Sequence, residues 1–567
     1  MYTDVMTEIA RFKAGRIHVA RAGLATQARL CVDMLQQGRG MAWVVKNRDE
    51  LLTARALMRL FSPELSSGDF LPDAFDKGGW TSLPPFSPRS ANREGWTERL
   101  SALYALRSGQ AKGLLLTADN LLPKLVPLDF FENREFTLIR GEDVSLEMIL
   151  EQAVEWGYER VSMVSNPGEI ARRGAILDIM PPGYDKPIRL DFFGDLIEEI
   201  RLFDPVSQRS KANLSEVRVL PVSPIRQSPA DQAKMQARWK SLFQKNMLTE
   251  NERFGLTRLQ EQGDFRLLPG CCYDTATNLE AWLPADTVWV LPGLSDFRDM
   301  LSSAERLWTE AFEAQDVEGR PQPQRLAMRE ASDVESACER FACVHAEPLV
   351  MGIAKGIHDL PERSLSSFED LFPSTAEQDR PWQTLVQALK RWQNDKRQTI
   401  LCFASEKSRT KFLNLASQDG LSPLLRYSGE QHGLFALVAP FRAGAELIWD
   451  QSLILGEDLL QPHAEKSRRV PTGAFKGLDR YDELKPGDLL VHRDYGIARF
   501  GGLLRMETGS TANDFLLLHY SGDDRLYVPV DRLSLIQRFK GGGEAQPSLD
   551  RLGGGAWQSG KEKARKA

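Results

Sequence analysis

The run Ile188-Arg189-Leu190-Asp191-Phe192-Phe193, followed at once by Gly194-Asp195, leaves this chain little choice of local structure. Ile188, Leu190 and Phe192 alternate with Arg189, Asp191 and Phe193, the period-two pattern of a strand with one buried and one wet face. Glycine at the first position of a two-residue loop tolerates the positive φ that a tight hairpin needs, so residues 196–203 are expected to return antiparallel to the first strand. Residues 175–180, entered through Arg172-Arg173-Gly174, form a third short apolar run. The consequence is a small antiparallel module. On its wet face Arg189 and Phe193 lie four residues apart and so point the same way. Two readings of Phe193 stand. Its ring folds under a neighbouring loop, or it anchors a protein-binding face, since exposed aromatics and arginines are what interface hot spots are made of.

The stretch GEIARRGAILDIMPPGYDKPIRLDFFGDLIEEIRLFDPVSQRS resembles the second domain of the excision-repair protein UvrB and of the transcription-repair coupling factors, with the RG, DI, P, DFFGD, I and FDP-x-x-QRS elements in order. The resemblance implies docking on UvrA, the damage-recognition ATPase. The residues that carry the docking in the family match Arg173, Arg189 and Phe193.

A chain of 567 residues is several domains, because single cores rarely grow past roughly 250–300 residues. Its net charge of -6 excludes a polycation that coats DNA, so any nucleic-acid contact is local. The N-terminus has no basic segment followed by an apolar core, and no run reaches the roughly eighteen apolar residues a membrane helix needs. A cytoplasmic protein with no membrane partner is expected. The six cysteines are too scattered to staple such a chain and are read as reduced thiols. Cys338, Cys343 and His345 lie close in sequence, but no fourth ligand follows at usable spacing, so no metal is expected.

Residues 1–150 alternate apolar runs (17–20, 41–46, 114–116) with helical segments (28–36, 49–61), the mark of a parallel α/β layer. In such a layer the loop after the first strand is where phosphates would sit, and here it is Arg21-Ala22-Gly23-Leu24-Ala25-Thr26-Gln27. Measured against G-x-x-x-x-G-K-[ST], only Gly23 and Thr26 survive by type. No GKS or GKT occurs anywhere in the sequence. UvrB carries a working ATP loop at this place, whereas the coupling factors resemble it with the loop lost. UvrB also inserts an aromatic-rich hairpin that clamps damaged DNA. Here Leu83-Pro84-Pro85-Phe86-Ser87-Pro88 runs almost directly into a helix expected over 96–106, leaving no room for one. The layer reads as a scaffold descended from an ATPase, completed by helical sequence over 229–262, a strand over 287–291 and a helix from Leu294, with the UvrB-like domain inserted between its halves. The polar, proline-bearing stretch 316–330 closes it.

Residues 336–460 give a further α/β pattern without recognisable chemistry. Trp382, Leu385, Val386, Leu389 and Trp392 form a stripe at helical spacing that reads as core. A polar linker follows. Then LKPGDLLVHRDYGIARFGGLLRME and NDFLLLHYSGDDRLYVPVDRLSLIQRF supply many short strands with regular turns, the pattern of a small barrel. The elements KPGD, VH, GIARF-x-G, LYVPV and L-x-x-I resemble the CarD-like RNA-polymerase-interacting domain, with a Tudor/SH3-like barrel as its expected fold. The resemblance implies binding to the polymerase β subunit through a strand corresponding to Leu503, Leu504, Arg505 and Met506, a mode in which a strand edge accepts a partner strand. The final LGGGAWQSGKEKARKA resembles the segment leading into the helicase-like motor of the coupling factors.

The expected organisation is therefore an α/β multidomain chain: a degenerate UvrB-like layer (1–150 and 223–332), the inserted UvrA-binding β domain (151–222), an α/β domain (333–460), a linker (461–483), the CarD-like barrel (484–540) and the start of a helical connector (541–567). The expected function is the N-terminal portion of a coupling factor that recruits UvrA to stalled polymerase, with no catalytic residues or cofactor of its own. ATP, Mg²⁺ and most DNA contact are assigned to motor domains outside this sequence. The rival readings are a UvrB-type DNA-dependent ATPase, disfavoured by the missing lysine, and a CarD-type regulator, which leaves the first 460 residues without a role.

Overall fold

The computed structural model describes residues 2–12, 14–61, 79–88, 90–205, 208–347, 357–374, 379–427 and 432–460, and in the C-terminal part 487–492, 496–508, 511–521, 524–529 and 536–538. The chain divides into two compact units, 1–463 and 464–567.

The first unit is built on a seven-stranded sheet in the order 357–359, 15–20, 342–347, 288–292, 41–45, 113–117, 80–82, with every neighbouring pair parallel. Strands Met41–Val45, Gly113–Thr117 and Val288–Pro292 are buried throughout, as parallel strands covered on both faces are. Alternation along them divides two cores. Ala42, Val44, Leu114, Leu116, Trp289 and Leu291 face the helices Arg93–Arg107, Pro229–Gln244, Glu250–Glu261 and Leu294–Val317. Trp43, Val45, Leu115, Val288 and Val290 face the helices Tyr2–Arg11, Leu24–Gln36 and Arg48–Phe61. The helix starts follow local chemistry. The Asn92 side chain accepts from the Gly95 amide, Pro229 occupies the first turn after Ser228, and Thr249 and Glu252 form a reciprocal capping box.

A second sheet follows, in the order 362–365, 444–447, 452–456, 398–403, 434–438. Ile400, Cys402, Phe435 and Ile454 join the core beneath the helices Tyr2–Arg11 and Leu24–Gln36. Leu401, Phe403, Leu453 and Leu455 face away, onto helices Pro381–Asn394 and Glu406–Gln418. The stripe expected to be core is largely that. Leu385, Val386, Leu389 and Trp392 are buried, while Trp382 packs at its margin.

Two expected boundaries move. The layer does not end near 332, because Ala342–Glu347 pairs with both Gly15–Ala20 and Val288–Pro292, and Ile357–Asp359 adds an edge strand. Nor does the inserted domain begin at 151. That point falls inside helix Leu146–Glu155, whose Leu146, Ile149, Leu150 and Ala153 share a core with Leu177, Ile188 and Leu190. Strand Phe136–Ile139, earlier still, pairs antiparallel with Glu216–Val219 and closes the insertion on itself.

The second unit, described by itself, has a five-stranded antiparallel sheet in the order 525–529, 511–519, 496–508, 489–492, 536–538. Leu490, Ala498, Phe500, Leu516, Leu518, Val528 and Ile536 form its core. The linker expected over 461–483 and the helical connector over 541–567 lie outside the described residues. Among the described residues, no helix is long and apolar enough to cross a membrane.

Candidate functional site

The inserted domain carries a six-stranded sheet in the order 210–214, 196–203, 188–193, 176–179, 169–173, 159–160. Its hairpin forms as the sequence pattern requires. Phe193 pairs with Leu196 across Gly194-Asp195, and Gly194 takes φ 63°. Ile188 and Leu190 are fully buried and Phe192 nearly so, against helix Leu146–Glu155.

Register decides which side chains share the other face. Arg189 lies opposite Asp178, and Arg173 lies opposite Ile176, itself opposite Asp191. Cross-strand partners point the same way, as do residues two apart on a strand. Arg173, Arg189, Asp191 and Phe193 therefore share the outward face. Phe193 is 74% exposed, the second most exposed large apolar side chain among the described residues, so it does not fold under a loop. Arg172, on the inward face, instead pairs with Glu147 of the covering helix.

The two arginines are held very differently. Arg173 is exposed and donates from Nη2 to the Ser162 carbonyl at 2.7 Å. Arg189 is clamped. Its Nε and Nη2 donate to the two carboxylate oxygens of Asp178 at 2.7 and 2.8 Å, Nη2 also reaches Gln208 Oε1 at 3.0 Å, and the guanidinium carbon sits 4.4 Å from the centre of the Phe203 ring. Asp178 is 1% exposed, and its hydrogen bonds raise the Arg189 pKa further above the ordinary arginine value. The guanidinium of Arg189, a residue matched to the docking set, is thus already engaged from within, leaving Nη1 without a partner among the described residues. Beside it Arg201 bridges Asp191 and Glu199. The face is an exposed ring set in a braced lattice of charges.

Asp178, Phe203 and Gln208 escaped the sequence reading. Asp178 carried a signal, because an acid inside the apolar run Ile-Leu-Asp-Ile has to find a cation when buried. Gln208 acts through a loop at φ 57°, which no periodicity announces.

The segment 21–27 follows strand Gly15–Ala20 as the α/β pattern puts it, but only 21–23 are loop: the helix expected over 28–36 starts at Leu24, so 24–27 form its first turn. Its neighbours were not anticipated. The Glu362 carboxylate accepts from the amides of Ala25 at 3.2 Å and Thr26 at 2.7 Å. Thr26 Oγ1 accepts from the Trp449 indole at 3.0 Å, and Arg29 donates to the Tyr427 hydroxyl at 3.2 Å. Burial pushes the Glu362 carboxyl above its ordinary range, against the downward pull of the Thr26 and Ala25 amides. Cys338, Cys343 and His345 are buried in the first unit. The Cys343 thiol donates to the Cys338 carbonyl, and His345 Nδ1 lies 3.2 Å from the Pro292 carbonyl.

In the second unit the segment 503–506 lies in strand Gly496–Thr508. A bulge between Phe500 and Gly502 shifts the register, and 502–508 then pair with 511–517 on one side. On the other side strand Leu489–His492 reaches only to Arg499. Among the described residues, then, the backbone of 503–508 is bonded along one edge alone.

Comparison with known proteins places names on both units. The UvrB interaction domain model matches residues 136–224, and the CarD-like/TRCF RID domain model matches residues 484–540. The first match begins at the strand that closes the insertion. The chain is 29% identical over 531 residues to the transcription-repair-coupling factor of Myxococcus xanthus, covering 85% of this chain and 42% of that protein. It is 28% identical over 517 residues to that of Escherichia coli (86% and 42%) and 28% over 546 residues to that of Haemophilus influenzae (90% and 44%). The chain spans less than half the length of the curated relatives it matches.

Proposed function

We propose that this chain, which joins a UvrB interaction domain to a CarD-like/TRCF RID domain, is the recruiting part of a transcription-repair coupling factor: it holds stalled RNA polymerase through its second unit and UvrA through its first. The observation that carries the reading is the outward face of the inserted sheet. The Phe193 ring, 74% exposed and sharing its face with Arg173 and Arg189, has the aromatic-plus-arginine composition in which interface hot spots are enriched. Arg173 and Nη1 of Arg189 flank that ring as donors to an acidic rim on the partner.

The polymerase contact falls on Leu503, Leu504, Arg505 and Met506. The one-sided pairing of 503–508 supports it, since a strand with an open edge can be extended by a strand of the polymerase β subunit through main-chain hydrogen bonds. The five-stranded sheet is taken as the small CarD-like barrel of this contact. DNA translocation and ATP turnover are assigned to sequence outside this chain, whose loop 21–27 carries no lysine for a phosphate.

The test is a bridging experiment. Immobilised polymerase β subunit should retain UvrA only when this chain is added. Leu503→Arg or Met506→Arg should abolish retention of the chain itself, because a charge in the contact strand is either buried unpaired or holds the partner off, at a cost of a few kcal/mol. Capture of β undiminished in both variants would show that another surface makes the contact.

A further inference from the structure

Glu362 touches Gly23, Ala25 and Thr26, and among these are both residues of 21–27 that match a phosphate loop by type, Gly23 and Thr26. The Thr26 amide donates to its carboxylate at 2.7 Å. A Cβ built on Gly23 would lie 2.4 Å from the carboxyl carbon and 2.4 and 2.8 Å from its oxygens, so the group rests directly on the glycine. No backbone strain demands glycine here. Gly23 has φ -74°, which any residue adopts. What demands it is the room the carboxylate takes up.

The carboxylate also has a defined origin. Strand Ile357–Asp359 pairs with Gly15–Ala20, the amides of Leu360 and Glu362 donate to the carbonyls of Ala20 and Arg21, and the chain then enters strand Glu362–Leu365 of the second sheet. Asp359 pairs with Arg21, whose φ is 55°. Glu362 thus stands at the step where the chain leaves one sheet for the other. Trp449 reaches the same helix turn from the second sheet's side, donating to Thr26 and stacking on Tyr2 at 4.3 Å.

We infer that Glu362 is a built-in anion: its carboxylate fills the oxyanion seat over Gly23 at the N-terminus of helix Leu24–Gln36 and locks the two sheets of the first unit together at the place where a nucleotide phosphate would otherwise be held. The seat keeps the features that suit any oxyanion, converging backbone amides, the positive end of a helix and a glycine floor. The occupant is part of the chain itself, so the joint is a fixed one. With the seat taken, the loop lacks both the lysine and the room that a nucleotide phosphate needs.

Glu362→Ala empties the seat without enlarging any side chain. The full chain carrying it should melt a few degrees below wild type, with faster amide hydrogen exchange in the peptide around Ala25 and Thr26. Inorganic phosphate should then recover both, relative to chloride at matched ionic strength, because an anion that binds the native state alone raises its stability. Phosphate also stabilises proteins generally by exclusion from their surface, so wild type and Glu362→Gln are the controls. Glu362→Gln keeps the seat full, and should lose protection at the two amides yet gain no more from phosphate than wild type. Should Glu362→Ala not fold, Gly23→Ala answers in its place. It should destabilise wild type by displacing the carboxylate, although alanine fits that backbone. The inference is overturned if phosphate protects Glu362→Ala no better than wild type, or, with Gly23→Ala, if that substitution leaves the melting temperature unchanged.

Discussion

The outward face of the inserted domain and the loop at the start of helix Leu24–Gln36 treat the same problem in opposite ways. Each has groups capable of recognising something outside the chain. At the loop the amides of Ala25 and Thr26 and the Thr26 hydroxyl are all engaged from within, by Glu362 and Trp449. On the face Phe193 is 74% exposed, while Arg189 and Arg201 beside it are tied to Asp178 and Asp191. The difference teaches how internal bonding separates structural groups from groups free to bind. A site whose donors have been satisfied internally has become structure. A site that keeps an exposed aromatic on a braced frame can still take a partner, which is the reading proposed for this face.

Arg189 is where that contrast is easiest to misread, and it gives the largest expected effect. It belongs to the face by direction and to the fold by bonding, since it neutralises the buried Asp178 through two hydrogen bonds. Removing one partner of a buried pair typically costs about 3 kcal/mol or more, because the other charge stays behind. Arg189→Ala should therefore lower the stability of the inserted domain by about 3 kcal/mol in urea unfolding, in addition to weakening UvrA binding. A variant of wild-type stability that still fails to bind UvrA would show the Asp178 clamp to be dispensable, and Arg189 to be purely an interface residue.

Truncating an aromatic in each region sharpens the same contrast. Trp449→Ala removes a half-buried ring that stacks on Tyr2 and donates to Thr26, and should cost about 2–3 kcal/mol of stability with UvrA and polymerase binding intact. Phe193→Ala should do the reverse. Loss of an anchor costs about 2 kcal/mol of binding, roughly thirtyfold in affinity, with the melting temperature unmoved because an exposed ring contributes little to the fold. Calorimetric titration with UvrA beside thermal unfolding reads both. If Phe193→Ala melts early and binds normally, the open site of the comparison is a packing site after all.

How much of this was legible depended on how local the cause was. The hairpin from Ile188 to Phe203 is encoded within sixteen consecutive positions by alternation and a Gly194 turn, and it formed with the expected pairing. The same alternation put Phe193 on the wet face, but whether a loop covered its ring stayed open until the structure showed it exposed. The parallel layer was also readable, since its strands and helices announce themselves one at a time. The domain limits were not, because they rest on pairings between distant segments. Phe136–Ile139 meets Glu216–Val219, and Ala342–Glu347 meets Gly15–Ala20. Glu362 lies 336 residues from the Thr26 amide it accepts from, and nothing around it marks it as anything but a polar residue at a strand's start. That 21–27 carries no lysine was visible in the sequence. The carboxylate seated on its amides was visible only in three dimensions.

The smallest expected effect belongs to Gln208, and it asks whether the frame around the exposed site matters or merely exists. Gln208 Oε1 accepts from Arg189 Nη2 at 3.0 Å, while its own Nε2 donates to the Pro205 carbonyl at 2.8 Å, so it joins the loop after strand Leu196–Phe203 to the guanidinium. It neither neutralises charge nor fills the core. Asp178 alone fixes two of the guanidinium hydrogen bonds and would keep Arg189 charged and folded in Gln208→Ala. What the variant loses is one restraint on how Nη1 is aimed outward. The bond is charge-assisted, but Asp178 holds the guanidinium in place without it, so only about 0.5–1 kcal/mol of binding should be lost, a fall of about two- to fivefold in UvrA affinity with little change in melting temperature. The fall should vanish when Arg189 is already replaced by lysine, whose ammonium cannot make the planar contacts that Gln208 completes. If Gln208→Ala weakens binding equally in both backgrounds, Gln208 meets the partner itself, and the braced frame extends further toward the open site than the intramolecular bonds suggest.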